Sequence, residues 1–262
     1  MYCLTCDTYI RMALTLYGES TQQELETCLQ FIKPGDWVID AGANIGTFAV
    51  PFARRVGPTG QVYAFEPQVL VHMCLATNLF INSVGEWAQP IRNALSDNIS
   101  IGKIPRLDPR QVNNIGGSRL NDPENKAQMK ILGTDDVNVI TIDSMKLEKL
   151  DFIKTDAEGM DAKILAGGIE TIKEFEPTIH AEMLPHDGAG GNNDPEQEYM
   201  RSVIKSLGYK AKWIMSPLFN PNNCRLESAN AFKSEVWSFD LLAIPEDKDW
   251  PENLPPKIKD FA

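Results

Sequence analysis

The sequence is poor in basic residues, histidine and long apolar runs. Its 25 Lys and Arg face 36 Asp and Glu, a net charge of −11, and no basic cluster is longer than Arg54-Arg55. Polyanions are bound by clustered cations, so nucleic acid and anionic membrane surfaces are not expected partners. No apolar stretch approaches the roughly 20 residues of a bilayer span, and the N-terminus lacks the basic-then-apolar plan of a secretory leader. A cytoplasmic protein is expected. Cysteine is scarce and odd in number, and only Cys3-x-x-Cys6 has a suggestive spacing. Structural zinc needs a second such pair, so free thiols are expected. With 262 residues, 43% hydrophobic and 23% charged, the chain has the composition of a globular α/β domain with insertions and a sizeable core.

The stretch Trp37 to Phe48, W-V-I-D-A-G-A-N-I-G-T-F, organises the rest. Trp37-Val38-Ile39 enters through Pro34-Gly35-Asp36 as a buried strand does after a turn, and Asp40 ends it. Gly42, Asn44 and Gly46 follow, then a helix predicted over 45–56 with Pro51 inside it as a kink. Glycines let backbone approach a ligand, and free N–H groups at a helix start favour negative charge. The G-x-G-x-x-G of dinucleotide folds is missing, which weakens an NAD reading. The D-x-G-x-N-x-G run resembles the first motif of Rossmann-like S-adenosylmethionine (SAM) methyltransferases. A second strand over 61–65 delivers Glu66 and Pro67, about 26 residues after Asp40, the span of one strand–helix–strand crossover. An acid at that strand end suits two ribose hydroxyls.

Before this stretch, residues 4–17 read as a helix. Thr21 and Glu24 have capping-box spacing for a second one to Ile32, so that 1–36 form a helical cap, with Glu19 a weaker site candidate. After it, a helix over 68–83 leads to a third strand over 91–95, whose Asn93-Ala94 reaches the position that contacts adenine in this class. From about 97 to 137, short apolar pieces alternate with Asn113-Asn114-Ile115-Gly116-Gly117-Ser118 and Asn121-Asp122-Pro123, read as a β-hairpin arm over the strand ends. The fourth core strand is expected over 150–156, then a helix over 160–175, a fifth strand over 178–184, a polar loop over 185–194 and a helix from Pro195 to Leu207 capped by Gly208. Strands at 209–215 and 237–244 close the sheet, and the proline-rich 246–262 is expected to be a loosely attached tail.

Asp156, Glu158 and Glu182 fall at the ends of adjacent strands, where acids converge on the pocket set by the glycine turn. D-F-I-K-T-D-A-E-G-M-D, with the Y-G-E, P-G-D-W-V-I-D-A-G-A-N-I-G, Y-A-F-E-P, N-A-L-S-D and N-I-G-G-S blocks, resembles the FkbM family of SAM-dependent methyltransferases from about Tyr17 to Pro245. The resemblance implies a Rossmann-like seven-stranded class I sheet spanning 37–245. It also implies SAM as cofactor, held by Asp40, Gly42, Asn44, Gly46, Glu66, Pro67, Asn93 and Ala94, and methyl transfer to a hydroxyl of a sugar, glycan or related natural product. Asp156 is the expected base or acceptor-orienting group, with Glu158 and Glu182 assisting; either acid has an ordinary structural role open to it. These acids with His186 also form a possible divalent-metal set, though no dense ligand motif supports one; His72 and His180 are expected to be structural. An NAD-dependent sugar oxidoreductase and a non-catalytic SAM-binding protein are the competing readings, the former lacking a Tyr-x-x-x-Lys pair. Neither the acceptor nor the oligomeric state is legible.

Overall fold

Val38 and Ile39 of the opening strand are both fully buried, as expected for a central parallel strand covered by helices on each face. The computed structural model describes residues 1–122, 130–183, 195–232, 237–251, 254 and 258–260. The 185–194 loop with His186, Pro123, and the start of the apolar piece at Met129 lie outside them. In chain order, α1 (Ile10–Tyr17) and α2 (Gln22–Leu29) precede β1 (Trp37–Ala41), followed by α3 (Ala49–Val56), β2 (Gln61–Phe65), α4 (Val69–Ile81), β3 (Ala88–Ile91) and β4 (Ala94–Leu95). Then come β5 (Ser100–Leu107), β6 (Ile131–Ile140), β7 (Phe152–Thr155), α5 (Asp161–Ala166), α6 (Ile169–Phe175), β8 (Thr178–Glu182), α7 (Pro195–Leu207), β9 (Tyr209–Pro217), β10 (Trp237–Pro245) and β11 (Ile258–Asp260).

The main sheet has the order β11-β9-β10-β8-β7-β1-β2-β3. Strands β3, β2, β1, β7 and β8 run parallel, while β10 and β9 are antiparallel to their neighbours. These seven strands form the expected class I sheet. An eighth, β11, pairs antiparallel with β9, so part of the predicted loose tail is a sheet strand, and Trp250 stands 5.1 Å from the Lys212 ammonium. β5 and β6 form the antiparallel arm, and β4 joins them in a separate three-stranded sheet. The predicted third strand is thus two: β3 in the main sheet and β4 in the small one, with Asn93 between.

The strands sort their side chains between two cores. Ile39, Ile153 and Ile179 pack on the α5–α6–α7 side, and Val38, Val62 and Phe152 on the α2–α3–α4 side. By the two-residue alternation of a strand, Asp40, Lys154 and His180 point to the second side, in register with one another.

Several local expectations give way to tertiary packing. Helix α3 begins at Ala49, so Pro51 falls in its first turn, where its missing N–H removes no intrahelical bond and no kink is required. The Thr21–Glu24 capping box does not form: Thr21 takes a left-handed φ of 46° without a side-chain cap bond, and Glu24 turns into the interior. The helix predicted over 160–175 breaks into α5 and α6 at Gly167-Gly168. A Cβ on Gly167 would lie 2.0 Å from the Ser96 carbonyl oxygen, so close backbone contact selects glycine. Gly167→Ala is therefore expected to destabilise the protein by about 3 kcal/mol in urea unfolding, whereas Gly85→Ala, with nothing nearer than 3.9 Å, stays within about 0.5 kcal/mol; equal stabilities would contradict this packing.

Candidate active site

The turn after β1 is clamped from two sides. The Gly42 and Ala43 amides both donate to the Phe65 carbonyl, at 3.0 and 2.8 Å, and the Asp156 amide donates to the Ala41 carbonyl at 2.9 Å. A Cβ at Gly42, whose φ is +82°, would sit 1.9 Å from the Asp156 carbonyl oxygen. The tips of β1, β2 and β7 are thereby drawn together, and only glycine satisfies both the dihedral and the space. Asn44 also takes a left-handed φ of 49°, and its Oδ1 accepts from the Ile45 amide at 2.8 Å. The Gly46 amide closes the turn on the Ala43 carbonyl at 2.8 Å.

A cavity of about 290 Å³ lies over these strand ends. From the β3 side to the β8 side its wall includes Asn93, Ala94, Glu66, Pro67, Gly42, Asn44, Asp156, Glu158 and Glu182. Nine of the eleven expected site residues thus share one wall. Asp40 and Gly46 stand behind it. Gly46 supports the turn, with Leu75 where its side chain would be. Asp40 is fully buried, and neither carboxylate oxygen accepts a hydrogen bond of ordinary geometry. Burial pushes it up to about 6, against the pull of the Lys154 ammonium.

Glu66 is buried at the β2 end, and its Oε1 accepts from the Gln68 amide at 2.8 Å. Burial raises it to about 7, opposed by that amide. The Gln68 side chain reaches the arm: its Nε2 donates to the Ile115 carbonyl at 3.1 Å, and its Oε1 accepts from the Ser118 hydroxyl at 3.2 Å. The polar glycine loop of the arm is thus tied to the end of β2, and Gly116 and Ser118 line the cavity.

Toward β8 the site is acidic around one buried cation. The Lys154 ammonium pairs with Asp156 Oδ2 at 3.1 Å, with the lysine side chain 1% exposed, and lies 4.3 Å from the Phe48 ring centre. Burial alone would lower its pKa, but Asp156, then Glu24 and Asp40, hold it above the ordinary value. Glu158 has a left-handed φ of 53° directly before Gly159 at 88°, a strained arrangement of the kind that collects at functional sites. Burial, then Asp156, raises Glu158 to about 7, with Arg119 opposing. Glu182 is raised well above its usual value, by burial and then by Asp156.

Two charged wall residues, Lys154 and Glu24, escaped sequence reasoning. Lys154, a lone cation inside the buried D-F-I-K-T run, carried a readable signal. Glu24 did not, because its spacing from Thr21 imitates a cap. Ser238, Trp237, Phe239 and Tyr9 also face the cavity. Glu19 is engaged elsewhere, accepting from Asn220 Nδ2 and the Cys224 amide at 2.8 Å each. All five cysteines are free thiols.

The buried acids fix a pH dependence. Glu24, Asp40 and Glu66 have folded values of about 7, 6 and 7, all above their unfolded ones. The folded state therefore holds protons more tightly, and ligand-free protein is expected to gain stability as pH falls from about 8 to about 5. Lys154→Met should cost about 3 kcal/mol or more at pH 8 in thermal unfolding and distinctly less at pH 5, where Glu24 and Asp40 are protonated. A loss independent of pH would contradict the charge assignment.

Residues 40–211, more than half of the chain, match the family model described as the Methyltransferase FkbM domain. A curated relative, methyltransferase sdnD of Sordaria araneosa, is 26% identical over 165 residues, covering 50% of this chain and 60% of that protein. The chain thus spans about three-fifths of that relative's length. Among solved structures, methyltransferase FkbM from Methylobacillus flagellatus KT is similar at a TM-score of 0.47 and 14% identity, covering 84% of this chain and 50% of that one. The SAM-bound O-methyltransferase TomG from Streptomyces achromogenes is similar at a TM-score of 0.47 and 11% identity, covering 86% and 78%. On the family match across residues 40–211, the chain belongs to the FkbM methyltransferase family.

Proposed function

We propose that the protein transfers a methyl group from SAM to a hydroxyl oxygen of a sugar, glycan or related natural product. The observation that carries this reading is the single cavity wall running from Gly42 and Glu66 to Asp156 and Glu182. The donor set fits the cofactor: a close-packed glycine turn for its amino-acid end, a buried carboxylate at the end of β2 for two ribose hydroxyls, and Asn93 and Ala94 beside the adenine. Asp40 and Gly46 support the turn from behind. Residues 1–36, whose Glu24 lines the cavity, act as a cap on the 37–245 domain.

Bound SAM supplies a methyl group made electrophilic by its positive sulfur. What remains for the chain is alignment and proton removal. Asp156, fixed by Lys154, orients the acceptor hydroxyl or takes its proton. Glu158, at about 7, lies in the range useful to a base near neutrality, and Glu182 assists from the next strand. The free thiols agree with work in a reducing cytoplasm.

Titration calorimetry with SAM and S-adenosylhomocysteine tests the reading; binding of neither, or of NAD instead, overturns it. Ribose hydroxyls donate to the ionised form of Glu66, so the dissociation constant of S-adenosylhomocysteine should fall as pH rises from about 6 to about 8. Glu66→Gln should weaken binding about tenfold to a hundredfold and flatten that slope. Asp156→Asn is expected to keep cofactor binding while methyl transfer to a saccharide panel falls at least about a hundredfold; unchanged turnover would remove Asp156 from the chemistry.

A further inference from the structure

Strand β8 carries a histidine that the methyl-transfer reading leaves unused. His180 is fully buried, and neither ring nitrogen has a hydrogen-bond partner. Buried polar groups are nearly always satisfied, so such an imidazole calls for a partner. Two buried carboxylates face it, Glu24 from α2 and Asp240 from β10. One ligand-type atom from each of the three lies within 4.8 Å of the other two. Atoms bound to one tetrahedral cation at about 2.0–2.2 Å stand about 3.3–3.6 Å apart, so closing the ring requires each atom to move inward by at most about 0.8 Å. The three residues come from three separate elements, which distinguishes the cluster from an acidic surface patch.

Charge balance points the same way. On this side of the sheet, buried Glu24, Asp40 and Asp240 meet one buried base, Lys154, and that base leans toward Asp156 at 3.1 Å. With His180 neutral and Lys154 turned to Asp156, the carboxylates of Glu24 and Asp240, when ionised, carry two negative charges, which one divalent cation offsets. The Ser238 hydroxyl donates to Asp240 Oδ2, the kind of outer contact that orients a ligating carboxylate.

We propose that Glu24, His180 and Asp240 bind a divalent transition-metal ion of the Zn²⁺ or Mn²⁺ class beneath the acceptor end of the cavity. An imidazole nitrogen beside two carboxylates suits these ions over Mg²⁺ or Ca²⁺. Glu24 and Ser238 also line the cavity, so open coordination positions would face it. The assignment stands independently of what the cavity transfers.

The test uses the full chain, stripped with chelator and then given ZnCl₂, MnCl₂ or CoCl₂. Expected are about one equivalent retained by mass spectrometry of metals, visible Co²⁺ absorption bands, and a melting-temperature rise on the order of 5 °C at concentrations about a hundredfold above Kd. His180→Gln should lower retention at least about tenfold, and His72→Gln should leave it unchanged. Should His180→Gln not fold, Asp240→Asn serves in its place, and the Co²⁺ spectrum of the unmutated protein decides alone. No uptake by the unmutated protein, or uptake insensitive to these variants, overturns the site and leaves Glu24 and Asp240 as a pair sharing a proton.

Discussion

A single buried ammonium holds the acidic half of this molecule together. Lys154 stands on the central strand β7, with Asp40 of β1 in register on one side and His180 of β8 on the other. Its charge reaches Asp156 at the strand tip, Glu24 on α2 and Asp40 below, while Phe48 of the post-β1 turn lies against it. An isolated buried charge is prohibitive, so lysine and acids are each tolerable only in the other's company. Helix α2, the turn after β1 and the later strand tips are thereby made one electrostatic unit.

Backbone geometry sets what that unit faces. Gly42 lets β1 and β7 approach so closely that the Asp156 carbonyl fills the space of a side chain. The carboxylate of the same residue then projects beside the opening of the turn. Gln68 performs the matching task on the β2 side, fixing Glu66 through its amide and the arm through Ile115 and Ser118. A close-packed glycine turn and an acid cluster on one cavity wall thus follow from strand order and one missing Cβ.

Much of this was readable in the sequence because buried parallel strands leave unbroken apolar runs, such as Val38-Ile39 and Phe152-Ile153, and because the turn needs glycine where it stands. The arm was readable from its alternation of apolar pieces and turn residues. Glu24 was not, since short-range spacing makes Thr21 and Glu24 look like a cap, while tertiary packing buries Glu24 within the field of a lysine about 130 residues away. The helix break at Gly167-Gly168 depends on Ser96, a distant contact that no local pattern encodes. β11 hides in a proline-rich tail because three residues are too few to show periodicity. His180 reads as an ordinary strand residue until Glu24 and Asp240 are seen around it.

The central claim is that the glycine turn and Glu66 hold the cofactor with its reactive end toward the Asp156 carboxylate. A crystal structure of the protein with S-adenosylhomocysteine tests it most directly. The account predicts the ribose on Glu66, the amino-acid end against Gly42 and the sulfur facing the space between Asp156 and Glu182. Ligand bound elsewhere, or with its sulfur turned away from those carboxylates, would contradict it.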